Sequence, residues 1–131
     1  MVIDSSAMVA ILFREPERDS FVRAIQKAEI RRISAANYFE AALVIDGARS
    51  PVSSRFFDEF VLRAGLAIEP VTDVQARIAR EAYRDFGRGS GHPAKLNFGD
   101  CFAYALAKAC GEPLLYKGND FAQTDIRSAL A

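Results

Sequence analysis

Four carboxylates stand in or beside segments that carry almost no other charge. Asp4 is the only charged side chain from Met1 to Phe13 and Glu40 the only one from Ala35 to Ile45, while Asp100 shares Phe98 to Cys110 with Lys108 alone. Asp120 follows the last apolar run, in Lys-Gly-Asn-Asp-Phe. A helix that is apolar on nearly every face is buried, and a buried carboxylate is costly unless it is paired or binds a cation. If the four meet, each ionised pair at ~6 Å and an effective dielectric of ~20 costs roughly 3 kcal/mol, a penalty that a divalent cation removes. An all-oxygen donor set without a cysteine or histidine cluster suits Mg²⁺ or Mn²⁺ rather than zinc. Such an ion polarises a phosphoryl oxygen, helps generate hydroxide and steadies a departing oxygen, so phosphodiester hydrolysis is the chemistry these residues fit.

Taken singly, the acids have plainer readings. Asp4 can cap a following helix, although Ser5 and Ser6 can do so too. Asp100 lies three residues after Asn97, the spacing of a capping box, and an acid in a first turn suits the helix dipole. Asp120 sits where turns commonly place aspartate. Glu40 resists such a reading, because its helical neighbours Ala36, Leu43 and Val44 are apolar and its place looks too deep for a cap.

The elements that must position these residues alternate between short apolar strands and helices. Met1 to Ile3 reads as a buried strand, with a helix through Ala7 to Phe13. Pro16 opens a second helix bearing Phe21, Val22, Ile25 and Ala28. A strand at Arg31 to Ile33 precedes Ser34, the cap of a helix from Ala35 to about Ile45. Pro51 starts another helix, with Phe56, Phe57 and Phe60 at core spacing. Leu66 to Val71 reads as a strand, and Thr72 as the cap of a helix reaching Phe86. Gly87 to Asn97 is the one clear loop, Phe98 to Cys110 a helix stopped by Gly111, and Pro113 to Tyr116 the last strand. The pattern implies an α/β domain with a parallel sheet covered on both faces, its site beyond the C-terminal ends of the strands.

The 131 residues suit a single domain, 1–131, and include 17 basic and 17 acidic side chains, so no overall attraction to nucleic acid exists and any such binding must be local. No apolar run approaches the ~20 residues of a membrane span, and no signal peptide is evident. Cys101 and Cys110 fall on opposite faces of one helix, about 13 Å apart along its axis, which excludes a disulfide between them. As small buried hydrophobes they fit a reducing cytoplasm.

Val-Ile-Asp-Ser-Ser-Ala at the start, Ser-Ala-Ala-Asn-Tyr-Phe-Glu40, Asn97-Phe-Gly-Asp100-Cys-Phe and Leu-Leu-Tyr-Lys-Gly-Asn-Asp120-Phe together resemble the PIN-domain ribonucleases, specifically the VapC toxins of toxin-antitoxin pairs. The resemblance spans essentially the whole chain and implies a three-layer α/β/α domain with a central, mostly parallel sheet. It implies that Asp4, Glu40 and Asp100 are catalytic metal-binding acids, with Ser6 supporting them. Many members carry an acid where this chain has Gly118, so either Asp120 takes the fourth role or three acids work with Asn119 nearby. The implied activity is Mg²⁺- or Mn²⁺-dependent endonucleolytic cleavage of a structured RNA such as tRNA or rRNA, suppressing translation. The implied partners are a second copy, in a homodimer, and a VapB-type antitoxin.

Arg84, Arg88 and Lys95 flank or occupy the loop and Lys117 follows the last strand; they are candidates for RNA phosphate contacts, against the plainer reading of solvated surface charge. His92, in the same loop, is a further candidate for such a contact; alone of its kind, it cannot build a metal cluster, and is otherwise a catalytic base or an ordinary loop residue. Two further functions compete. An aspartate-based phosphotransferase would want a second acid where Ser6 stands, and a catalytically silent interaction module would keep the acids as caps only.

Overall fold

The computed structural model describes residues 1–130. Its elements are β1 (Val2–Ile3), α1 (Ser5–Leu12), α2 (Arg18–Lys27), β2 (Arg32–Ser34), α3 (Ala35–Gly47), α4 (Pro51–Arg63), β3 (Ala67–Glu69), α5 (Asp73–Phe86), α6 (Phe98–Cys110) and β4 (Leu114–Leu115), followed by a 3₁₀ turn at Phe121–Gln123. The strands form one sheet in the order β3-β2-β1-β4, with every pairing parallel.

Successive strand residues face opposite sides, and here that alternation builds two cores. Ile3 and Leu115 join α1, α2, α3 and α4 residues such as Met8, Phe21, Ile45 and Phe57 on one face. Val2 and Leu114 join Ala82, Tyr104 and Leu106 of α5 and α6 on the other. Helices therefore cover both faces, giving the three layers expected. A parallel sheet needs such cover, since its strands are buried on both sides.

Caps set the helix starts as expected at Ser34, Thr72 and Asn97, and α6 ends on Gly111 in the left-handed conformation at φ 64°. Other boundaries differ. Arg14, at φ 55°, turns the chain after α1, so Pro16 lies in the connecting turn and α2 begins only at Arg18. The third strand shrinks to Ala67–Glu69 because it is a half-solvated edge, paired on one side only. Of the three phenylalanines in α4, Phe57 is core, Phe60 packs at its margin and Phe56 is exposed. Helix α3 is not buried all round: Phe39, Leu43 and Val44 face solvent. Cys101 is buried, but Cys110 is exposed at the helix end.

After the 3₁₀ turn the tail returns to the sheet. Leu114 N donates to Arg127 O at 2.9 Å and Ala129 N to Leu114 O at 2.9 Å, a parallel bridge centred on Ser128 that covers the outer side of β4.

Candidate active site

Beta-strand β1 lies between β2 and β4, so the connections leaving it and arriving beside it diverge, and a crevice opens at the C-terminal ends of the strands. Asp4 is the first residue beyond β1. It is 2% exposed and caps α1, its Oδ2 accepting from Ser6 N at 3.0 Å. Its Oδ1 is buried with no hydrogen-bond partner. Burial pushes this carboxyl up to about 7 from 3.8, opposed by the Ser6 hydrogen bond and reinforced by the charges of Asp100 and Glu40.

Asp100 starts α6 in a reciprocal capping box: its Oδ2 accepts from Asn97 N at 3.0 Å, while its own N–H donates to Asn97 Oδ1 at 2.8 Å. Its pKa is also raised, first by burial and then by Asp120 and Glu40, with the Asn97 N–H and the Arg88 charge opposing. The capping readings of Asp4 and Asp100 are thus both realised, but each occupies one carboxylate oxygen and leaves the other without a protein donor.

Glu40 comes from the middle of α3 and is held from two sides. Ser5 Oγ and Asn37 Nδ2, the latter at 3.3 Å, both donate to its Oε1. Asn37 is fully buried and its Nδ2 also donates to Gly99 O at 3.0 Å, tying α3 to the first turn of α6. Gly99 makes that approach possible: a Cβ there would lie under 3.0 Å from the Glu40 carboxyl carbon and both its oxygens. Asn37 and Gly99 carry no such role in the sequence reading, and Ser5 figures there only as a helix cap. The one local signal was Asn37, which lies three residues before Glu40 on the same helical face.

The remaining candidates separate. Ser6 Oγ accepts from Lys117 N at 3.0 Å, joining the start of α1 to the segment after β4. Lys117 turns its ammonium away to Glu15 at 2.8 Å and Glu17 at 3.3 Å. Asn119 and Asp120 are exposed, though Asp120 is near enough to raise Asp100. Gly118 stands at φ 97°, a conformation L side chains rarely adopt, so an acid would be strained at this place. Arg84 pairs with neighbouring Asp85 at 3.3 Å. As the side chains stand, no group of three His, Cys, Asp or Glu among the described residues closes to metal-binding range.

A family pattern described as "PIN domain" matches residues 1–127. Ribonuclease VapC28 of Mycobacterium tuberculosis is 54% identical over 130 residues, covering 99% of this chain and 98% of its own. The chain belongs to the PIN-domain family, among the VapC ribonucleases. Ribonuclease VapC42 of the same organism is 46% identical over 129 residues, with 98% of each chain covered. Among solved structures, M. tuberculosis VapC20, described as a sarcin-ricin loop cleaving toxin, superposes with a TM-score of 0.73 at 15% identity over 95% of each chain. FitAcB from Neisseria gonorrhoeae gives 0.71 at 17% identity, over 97% of this chain and 94% of its own. Both structural neighbours share the PIN fold.

Asp4 carries a pH consequence for the cation-free protein. Folded Asp4 keeps its proton until about pH 7, while in the unfolded chain it gives it up near 3.8. The folded state therefore binds the extra proton between those values, and raising the pH through that window favours unfolding. Melts in EDTA are expected to show stability falling from pH 4 to pH 7, by on the order of 4 kcal/mol relative to Asp4→Asn. Parallel profiles for the two proteins would contradict the assigned environment.

Proposed function

We propose that this VapC-family PIN domain is a toxin that hydrolyses phosphodiester bonds in a structured RNA such as tRNA or rRNA, and so suppresses translation. The observation that carries the reading is the buried, unpartnered Oδ1 of Asp4, set beside the charges of Asp100 and Glu40 at the C-terminal edge of the sheet. An orphaned buried carboxylate oxygen normally costs about 1–3 kcal/mol or more, so its persistence asks for a ligand. The all-oxygen donor set fits Mg²⁺ or Mn²⁺. Asp4 and Asp100 are assigned as ligands through their uncapped oxygens, with Glu40 and Asp120 completing the set.

When bound, the ion polarises a phosphoryl oxygen and lowers the pKa of water. The chain's own part is positional. Helix α1 and helix α6 hold the two aspartates by their caps, so each presents one fixed oxygen to the crevice. Ser5 and Asn37 engage Oε1 of Glu40, leaving Oε2 as its oxygen for the cation. Ser6 supports the site by its bond to the segment that carries Asn119 and Asp120.

A VapB-type antitoxin partner follows from the family name of the relatives. Homodimerisation is supported by the solvent-facing Phe39, Leu43 and Val44 of α3, an apolar stretch of the kind monomers seldom leave bare. Action in the cytoplasm is consistent with the free thiols of Cys101 and Cys110, and no helix among the described residues is long and apolar enough to cross a membrane.

The test is a titration of MgCl₂ or MnCl₂ into the metal-free chain while melting is followed. Binding to the folded form alone is expected to raise stability by roughly 2.7 kcal/mol once the ion reaches a hundred times its dissociation constant, with RNA cleavage appearing over the same range. A melting temperature indifferent to both ions, with no cleavage, would favour a silent interaction module.

A further inference from the structure

The loop between α5 and α6 is built rather than slack. Arg88 N donates to Leu96 O at 3.0 Å and Leu96 N to Phe86 O at 2.9 Å, which closes its base. Inside it, Ser90 Oγ donates to Gly87 O at 2.6 Å and accepts from His92 N at 3.1 Å. Ala94 and Leu96 are fully buried and pin the loop to the core. Lys95 between them stands at φ 50°, a left-handed conformation that is strained for a non-glycine residue and is tolerated where surroundings enforce it.

The enforced geometry puts Arg88, His92 and Lys95 around one open cavity of about 640 Å³, whose remaining wall includes Asp120. Neither Arg88 nor Lys95 makes an ion pair among the described residues, in contrast to Arg84 and Lys117. The His92 ring packs edge-on against Phe86, and its Nδ1 accepts from Ala94 N at 3.1 Å. A neutral ring so held carries its proton on Nε2, as a hydrogen-bond donor. The cavity therefore runs from an acid shared with the catalytic crevice to two cations without a direct ion pair and an oriented donor.

We propose that this cavity seats a backbone phosphate of the RNA strand next to the cleaved bond, with Arg88 and Lys95 neutralising it and His92 Nε2–H fixing one of its oxygens. The assignment rests on the ribonuclease reading above and adds the loop as the element that sets where the strand lies. Lys117 and Arg84, paired with acids, are not among the residues lining this cavity.

The experiment uses the full chain silenced by Asp100→Asn, with Mg²⁺ present, and follows a short fluorescein-labelled oligouridylate by anisotropy as KCl is raised. Each neutralised phosphate contact on a single strand contributes about 0.7 to the slope of log affinity against log salt. Arg88→Ala and Lys95→Ala are each expected to weaken binding several-fold and lower that slope by about 0.7. His92→Ala should weaken binding with the slope unchanged, and His92→Gln, which keeps an N–H donor, should recover part of the loss. Arg23→Ala, on the exposed side of α2, should change neither. In the active chain the same loop variants should raise KM far more than they lower kcat.

Slopes and affinities equal to the parent's in folded Arg88→Ala and Lys95→Ala would overturn the phosphate seat while leaving the nuclease intact; a cavity filled by an acidic side chain of another protein would give that result. Absence of cleavage by the parent chain, with the slopes still falling as stated, would instead remove the catalytic reading and keep the seat.

Discussion

Asp100→Asn is expected to abolish RNA cleavage, by at least about 10³-fold in kcat/KM, while the chain folds as before. The size follows from the role assigned: losing one anionic ligand that fixes a phosphoryl-polarising cation removes about 4 kcal/mol of transition-state stabilisation. Survival of the fold follows from the cap. Asn at 100 keeps its backbone donation to Asn97 Oδ1, and its own amide oxygen can accept from Asn97 N as Oδ2 does now. The substitution also removes a negative charge from a place where burial, Asp120 and Glu40 all disfavour it. Without added cation the variant should therefore melt no lower than the parent, and Mg²⁺ should stabilise it less. Cleavage of a defined RNA within tenfold of the parent's rate would defeat the site assignment. Failure to fold would show instead that the carboxylate's structural part had been underestimated.

The second large effect is expected from a single methyl group. Gly99→Ala places a Cβ against the carboxyl group of Glu40, in a first turn where Asn37 already binds Gly99 O. In an unobstructed helix the exchange would stabilise by about 1 kcal/mol, since alanine is the better helix former. Here the clash outweighs that gain, and a loss of roughly 1–3 kcal/mol is expected from overpacking. Glu40 must rotate off its Ser5 and Asn37 donors, and a displacement of about an ångström in a reacting group costs on the order of 10²-fold in rate. Glu40→Ala removes the obstacle, so combining it with Gly99→Ala should restore stability but not activity. That non-additivity is what separates a clash with this particular carboxylate from general damage to α6. A Gly99→Ala chain as stable and active as the parent would show that Glu40 has room elsewhere.

The physics of what the sequence disclosed, and what it withheld, follows from the range of each interaction. Val2–Ile3 and Leu114–Leu115 were visible as buried strands because strands covered on both faces are continuously apolar. Asn97, Thr72 and Gly111 marked helix ends because capping is local, and Asp4 and Asp100 stood out as charges in apolar surroundings. Glu40 stood out for a reason only half right: its helix is apolar, yet Leu43 and Val44 beside it face solvent, so composition alone did not separate a buried face from a surface suited to a partner. Asn37, Ser5 and Gly99 act through contacts between α1, α3 and α6, with chain separations of 35 and 62 residues, and no local pattern encodes such pairings. Lys117 shows the same range effect from the other side. Its position after a strand suggested RNA, but Glu15 and Glu17, remote in sequence, already neutralise it.

The bridge at Ser128 gives the end of the chain a protective duty. Strand β4 has only two residues, and a bare rim of unpaired amides there would be an invitation to stray polypeptide. By lying along that rim, Arg127 to Ala129 quench the groups on which intermolecular pairing would seed. Trimming these residues would accordingly announce itself as clumping of otherwise folded molecules.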